Sequence, residues 1–153
     1  MQANNEVSPE KELEQITGIT CIYIPVSNVY ESLKWYQKNL GCQPTNHNPI
    51  KPDMEIAILG FPDHNGNFSE AGLRCTVPAL FLITAKQAAG SYGFTYDNGT
   101  KQAVFCFITP RIQEMYERFK ENGVKIEGEI RQTCGPNLQF YDPDGNMLEV
   151  WQP

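Results

Sequence analysis

The sequence is short of histidine, of basic residues and of long apolar runs. Its 153 residues include 2 histidines, and 12 Lys and Arg stand against 18 Asp and Glu, which gives a formal charge of -6. Nucleic acids and anionic membranes attract clustered basic side chains, so this balance argues against both as main partners. No apolar run approaches the roughly 20 residues that span a bilayer, and the first residues, MQANNEVSPEKELEQ, lack the apolar stretch of a secretory signal.

Paired cysteine motifs are also missing. The 5 cysteines are an odd number, widely spaced and without a CxxC pair. This usage excludes a zinc ribbon and a secreted disulfide scaffold, and it is typical of a reduced cytoplasmic protein. Hydrophobic residues make up 41% of the chain, which is a globular value and predicts one ordinary domain.

The chain repeats one pattern twice. The segment that begins at Ile19 and the segment that begins at Gln102 each start with an apolar strand and continue into a helix. In the first copy, Asn28 is a predicted N-cap and Gly41 a predicted left-handed C-cap. In the second copy, Thr109 is the predicted N-cap, with Pro110 at the first helical position.

Strand-like runs follow each predicted helix. They are GCQPT, MEIAILGF and PALFLITAK in the first copy, and VKIEGEI, PNLQFYD and MLEVWQP in the second. The sequence therefore predicts an α+β fold of two βαβββ modules. Residues 1–15 form a charged leader, 16–85 the first module, 86–101 a connecting segment rich in glycine and polar residues, and 102–153 the second module.

Two such modules resemble the vicinal-oxygen-chelate superfamily, which includes glyoxalase I, bleomycin-resistance proteins and extradiol dioxygenases. The resemblance rests on PVSNVYESLKWYQKNLG in the first module and FYDPDGNMLEV at the end of the second, and it covers residues 16–152. It implies one open-barrel, glyoxalase-like domain whose concave face holds a divalent metal in the family's enzymes. It also implies a homodimer and a small-molecule ligand or substrate.

The family's metal-ligand positions are largely replaced in this chain. The resemblance assigns the first-strand positions to Cys21 and Val104, and the last-strand positions to Phe81 and Glu149. Phe81 and Val104 cannot bind a metal, whereas a catalytic metal site usually has three protein ligands. We therefore expect no metal and no other cofactor, unless His47 or His64 completes the site from a loop.

Strand alternation predicts which side chains line the concave face. Glu149 is the candidate catalytic residue, because a carboxylate among aromatic neighbours can be desolvated and act in acid–base chemistry. The predicted ligand-binding residues around it are Cys21, Tyr23, Phe81, Val104, Cys106, Gln139, Tyr141, Met147 and Trp151. For Phe81, Val104 and Ile108, simple filling of the space between the sheets is the favoured interpretation.

Three functions fit these predictions. The first is a metal-independent, bleomycin-resistance-like protein that binds a small apolar or aromatic molecule in its concave cavity. The second is a metal-dependent lyase, isomerase or dioxygenase that uses Glu149, Cys21 and a loop histidine. The third is an interaction module whose cavity is filled by its own side chains. Whether the protein is an enzyme stays open at this point.

Overall fold

The computed structural model describes residues 16, 18–45, 49–68 and 78–153. The predicted leader, His47 and Cys75 lie outside the described residues. The elements of the described ranges are β1 (Cys21–Val26), α1 (Val29–Leu40), β2 (Gln43–Pro44), β3 (Ile56–Gly60), β4 (Ala79–Thr84), β5 (Phe94–Thr95), β6 (Lys101–Gln102), β7 (Cys106–Ile108), α2 (Ile112–Glu121), β8 (Ile126–Gln132), β9 (Pro136–Tyr141) and β10 (Met147–Trp151).

The strands form two sheets with the same topology. The strand order is β1-β4-β3-β2 in the first sheet and β7-β10-β9-β8 in the second. In each sheet the first and last strands of the module pair in parallel, and the other pairs are antiparallel. The prediction of an α+β fold with two βαβββ modules is therefore confirmed, and both sheets are open. The connecting segment contains a short hairpin, β5–β6, which the sequence did not predict.

Helix α1 begins and ends where the sequence predicts. The Asn28 side chain accepts a hydrogen bond from the backbone N–H of Glu31 at 3.0 Å, so it caps the first turn. At the other end Gly41 has φ 72°, a left-handed conformation that glycine adopts without the steric cost of a Cβ.

The predicted N-cap of helix α2 is wrong. The helix begins at Ile112, and Arg111 occupies the cap position without a side-chain hydrogen bond to the helix. The Thr109 hydroxyl instead accepts from the N–H of Arg111 in the preceding turn, at 3.3 Å. The N–H of Ile112 donates to Oε1 of Gln152 at 2.8 Å, so a residue distant in sequence satisfies the free helix end.

One apolar core lies between the sheets and the helices. Alternate residues of the strands are fully buried on this side, as Ile24, Leu82 and Leu138 illustrate with 0% exposure. The two modules share the core, because the Phe119 ring of α2 packs at 4.6 Å from the Phe140 ring of β9, and Trp35 of α1 stacks on the same Phe140 ring at 6.5 Å. Strand parity thus assigns the helix-facing side chains correctly.

The turn between β9 and β10 fastens the second module to the first. Asp142 accepts a hydrogen bond from the buried hydroxyl of Tyr36 at 2.9 Å. Asn146, which is fully buried, donates to the carbonyl of Pro25 at 2.9 Å and accepts from the N–H groups of Gly90 and Tyr92. We call this group of six residues the inter-module clamp. Neither of the two helices in the described ranges is long and apolar enough to cross a bilayer.

Candidate functional site

Each sheet has a face turned away from its helix, which we call the open face. On the first sheet, Tyr23, Phe81 and Ile58 are register partners and form one row across the open face. The Tyr23 and Phe81 rings contact each other with centroids 5.2 Å apart, and Tyr23 remains 53% exposed. Cys21 lies two residues from Tyr23 on the same face and is half-buried. The open face of the first sheet is therefore an aromatic surface with a thiol at one end.

The open face of the second sheet has a polar centre. Glu149 lies between Cys106 and Gln139 in the strand register, and Gln139 lies in turn beside Glu127. One carboxylate oxygen of Glu149, Oε2, accepts hydrogen bonds from Gln102 at 2.9 Å, from Gln139 at 3.0 Å and from Arg131 at 3.2 Å. Glu149 is thus a largely buried carboxylate with three side-chain donors.

Arg131 supplies the positive charge of this centre. Its Nε donates to the side-chain oxygen of Asn137 at 2.8 Å, while its Nη2 donates to Glu149. The Asn137 amide is held in turn by Thr133 at 2.6 Å and by the carbonyl of Gly135 at 3.1 Å. These contacts fix the guanidinium plane over the sheet, and the Arg131 side chain stays 36% exposed.

Three predicted lining residues contribute little exposed surface, and one of them is Gln139, which is 3% exposed. Met147 and Tyr141 are 3% and 8% exposed, and they form a small buried cluster with Ala103. The Tyr141 hydroxyl donates to Glu127 at 2.7 Å. Burial, together with this carboxylate, raises the pKa of Tyr141 to about 12. These side chains support the polar centre from one side.

Cys106 lies at the edge of the second sheet, beside Glu149. Desolvation of the sulfur and the neighbouring carboxylate raise the pKa of the Cys106 thiol to about 12. A reactive cysteine needs the opposite shift, because the thiolate is the nucleophile. Cys21 belongs to a strand of the other sheet, so the strand pairing of the described ranges does not place the two thiols side by side.

The apolar side chains around the polar centre are exposed. Val104 lies just before strand β7, which begins at Cys106. The side chains of Val104 and Ile108 are 58% and 72% exposed. The interpretation that these two residues fill the space between the sheets is therefore wrong. Trp151 is the register partner of Ile108 and is half-buried, and its indole N–H donates to the carbonyl of Cys134 at 3.0 Å.

The connecting segment bonds to a strand of each sheet. Tyr92 of the connecting segment donates its hydroxyl to the carbonyl of Tyr23, and its own carbonyl accepts from the N–H of Met147 at 3.1 Å. The rings of Phe61, which follows β3, and of Phe107 on β7 lie 5.6 Å apart and also join the two modules. The connecting segment thus ties β1 of the first sheet to β10, the central strand that carries Glu149.

The residues at the family's metal positions do not fit a metal. Phe81 and Val104 have no donor atom, and Glu149 already pairs with the Arg131 guanidinium. His64 lies in an exposed turn after β3. Within the described ranges, no group of three or more His, Cys, Asp and Glu side chains is placed to hold a metal ion. The donors at these positions therefore do not form a three-ligand metal site, and His47 lies outside the described residues.

The sequence patterns placed Asn137 on the concave face but did not indicate three other residues of the polar centre: Gln102, Glu127 and Arg131. Strand parity within VKIEGEIRQ places Glu127 and Arg131 on one face of the sheet. This pattern is the sequence signal that indicates that the two residues belong together. A register irregularity between these two residues means that their pairing partners could not be read from parity alone. Gln102 lies before β7, in a region predicted as strand, and reaches Glu149 only through the tertiary fold.

Comparison with protein families gives one match that spans nearly the whole chain. The model of the Glyoxalase/Bleomycin resistance protein/Dioxygenase superfamily matches residues 15–150. Comparison with curated protein sequences gives no significant match.

Solved structures of low sequence identity share the fold. An antibiotic-binding protein from a Streptomyces strain is 18% identical with a TM-score of 0.64, and the match covers 92% of this chain and 99% of that one. A fosfomycin resistance protein from Listeria monocytogenes is 16% identical with a TM-score of 0.59, covering 91% and 93%. A lactoylglutathione lyase from Agrobacterium tumefaciens is 13% identical with a TM-score of 0.57, covering 91% and 96%.

Proposed function

Because the chain belongs to the Glyoxalase/Bleomycin resistance protein/Dioxygenase superfamily, we propose that it binds a small apolar or aromatic molecule on its open faces without a divalent metal. One observation carries this proposal. Apolar side chains remain exposed around a carboxylate that pairs with a guanidinium, at the position where the family's enzymes use a carboxylate as a metal ligand.

The exposed apolar surface supports ligand binding. Tyr23, Val104 and Ile108 each keep more than half of their surface exposed. Burying apolar area is worth about 25 cal/mol per Å², so an aromatic ligand that covers roughly 200 Å² of such surface gains about 5 kcal/mol before entropic costs. A few polar groups within an apolar lining are the usual composition of a small-molecule site.

Metal independence is supported by the chemistry of Glu149. A metal at this position would lie close to the Arg131 guanidinium, which already pairs with Oε2 of the same carboxylate. The two positive charges would repel each other beside one partly buried carboxylate, which weakens the binding of a metal. The shared fold of the antibiotic-binding protein is consistent with a binding role, whereas the lactoylglutathione lyase shows that the fold also serves enzymes.

The binding test uses N-phenyl-1-naphthylamine, an uncharged probe whose fluorescence rises in apolar surroundings. We expect saturable binding at one site, with a dissociation constant of roughly 0.2–1 mM. Tyr23→Leu should weaken binding severalfold, because it removes an exposed ring from the open face. Tyr30→Leu is the matched control, since Tyr30 lies on α1, away from the open face. Absence of saturable binding, or equal effects of the two variants, would contradict the proposal.

The metal test is elemental analysis by mass spectrometry after incubation with Ni, Zn, Mn or Fe(II) and desalting. We expect no retained metal. Near-stoichiometric metal that is lost in Glu149→Ala would instead support the metal-dependent lyase, isomerase or dioxygenase. A cytoplasmic homodimer stays a prediction of the sequence, and light scattering after size-exclusion chromatography measures the subunit number.

A further inference from the structure

We propose that the Arg131–Glu149 pair is the polar anchor of the ligand site, and that it selects an uncharged aromatic molecule with a carbonyl oxygen next to an N–H group, as in an aromatic amide. This inference rests on the proposed function and adds the chemical class of the ligand.

The guanidinium of Arg131 has donors to spare. A guanidinium carries five N–H bonds. Two of them are used in the described part of the structure, one by Nε toward Asn137 and one by Nη2 toward Glu149. With its side chain 36% exposed, Arg131 can offer further N–H groups to a carbonyl oxygen above the open face. A hydrogen bond from a charged donor is about twice as strong as a neutral one.

The carboxylate of Glu149 offers the matching acceptor. All three of its side-chain donors within the described ranges bind Oε2, and none of them binds Oε1. Oε1 can therefore accept an N–H from a ligand whose carbonyl contacts Arg131. The donor and the acceptor belong to one ion pair with 3.2 Å between Nη2 and Oε2, so they present a dipole that fits the opposite dipole of an amide.

The neighbouring charges disfavour an ionic ligand. An anion near Arg131 would also lie close to two carboxylates. One is that of Glu149, and the other is that of Glu127, which lies on the same strand as Arg131 in the neighbouring row of the sheet. A cation at Oε1 of Glu149 would lie close to the Arg131 guanidinium, which binds Oε2 of the same carboxylate. Like charges at this range raise the energy of a bound ion, whereas a neutral dipole avoids the repulsion.

The surroundings of the pair favour an aromatic frame. Arg131, Asn137 and Trp151 are successive partners in the strand register, so the indole lies in the same row as the guanidinium. Ile108 continues the row and is 72% exposed. A planar ring system can cover these apolar side chains while an amide substituent reaches the ion pair.

The experiment compares three naphthalene probes that share one ring system: 1-naphthamide, 1-naphthoate and 1-methylnaphthalene. Binding is followed by the tryptophan fluorescence of the Trp35→Phe variant, in which Trp151 is the remaining indole, because the chain contains 2 Trp. We expect 1-naphthamide to bind about 10-fold more tightly than 1-methylnaphthalene, and 1-naphthoate to bind more weakly than the amide.

Substitutions of Arg131 and Glu149 test whether the ion pair causes the preference for 1-naphthamide. In Arg131→Met, 1-naphthamide should bind no more tightly than 1-methylnaphthalene, whose affinity should be unchanged. Arg118→Met is the matched control on the exposed side of α2 and should leave the preference intact. Glu149→Gln keeps the size of the side chain but removes the negative charge, so the preference should shift from 1-naphthamide toward 1-naphthoate. Circular dichroism confirms that each variant is folded.

The outcomes separate the two proposals. If none of the three probes binds, the proposed function fails. If 1-methylnaphthalene binds and 1-naphthamide binds no better, or if the amide preference survives in Arg131→Met, the binding function stands and the anchor is refuted. Tightest binding of 1-naphthoate to the unmodified pair would likewise overturn the selection of an uncharged ligand. Should Arg131→Met not fold, the Glu149→Gln comparison decides the same question.

Discussion

Replacing Tyr36 by phenylalanine tests the inter-module clamp with the loss of a single oxygen atom. The Tyr36 hydroxyl is fully buried and donates to Oδ2 of Asp142 at 2.9 Å, and Asp142 is 5% exposed. Water cannot readily replace the lost donor. Asp142 keeps hydrogen bonds from the N–H groups of Asp144 and Asn146 and from the Asn146 amide, so the variant should still fold.

The expected cost follows from the charge of the acceptor. A hydrogen bond to a charged group contributes about 1.5–3 kcal/mol, and a neutral one about 0.5–1.5 kcal/mol. Near neutral pH, Tyr36→Phe should therefore lower the free energy of unfolding by about 2 kcal/mol. Burial raises the pKa of Asp142 above its ordinary value of 3.8. Once acid protonates this carboxyl, the lost bond is a neutral one and the cost should fall to about 1 kcal/mol.

Urea unfolding followed by circular dichroism measures this cost at each pH. Tyr30→Phe is the matched control, because Tyr30 lies on the same helix but outside the clamp, with its ring beneath the Lys34 ammonium. The control should change stability by less than about 0.5 kcal/mol. Equal effects of the two substitutions, or a cost of Tyr36→Phe that grows in acid, would refute the reasoning.

Three further predictions concern the clamp and the open face. Gly90→Ala should destabilise the protein more than Gly99→Ala in thermal unfolding. Both glycines have positive φ, but a Cβ at Gly90 would lie 2.5 Å from a backbone oxygen of the β9–β10 turn, whereas a Cβ at Gly99 meets nothing within 4 Å. Equal losses of stability in the two variants would show that the close approach at Gly90 is unimportant. Cys106 should react slowly with iodoacetamide near neutral pH. Glu149→Gln should speed the reaction, because it removes one cause of the raised pKa of the thiol. Peptide mass spectrometry measures both rates, and an unchanged rate in the variant would contradict the role of the carboxylate. Finally, Asp142 is protonated more readily in the native than in the unfolded chain. Its contribution to the unfolding free energy is thus full below its unfolded pKa and is lost as the pH rises through the native pKa. Asp142→Asn should remove this part of the pH dependence in a urea titration, and an unchanged profile would count against it.

The sequence by itself determined the modules and the faces of their strands. Aliphatic residues occupy every second position in β1 and β10, and apolar residues recur at helical spacing in α1. Such periodicity follows from local backbone geometry. It assigned Tyr23 to the open face, where the side chain is 53% exposed. The resemblance assigns Phe81 and Val104 to metal-ligand positions, and that neither side chain can donate to a metal follows from residue identity alone.

The tertiary structure alone decided how distant groups satisfy one another. Gln152 caps α2 in place of Thr109, Asn146 fastens the two modules, and Arg131 pairs with Glu149. None of these contacts has a sequence period, since each depends on strand register, on the irregularity in β8 and on side-chain direction. The sequence therefore identified Glu149 as a chemically distinctive position, and the fold supplied the guanidinium that pairs with this carboxylate.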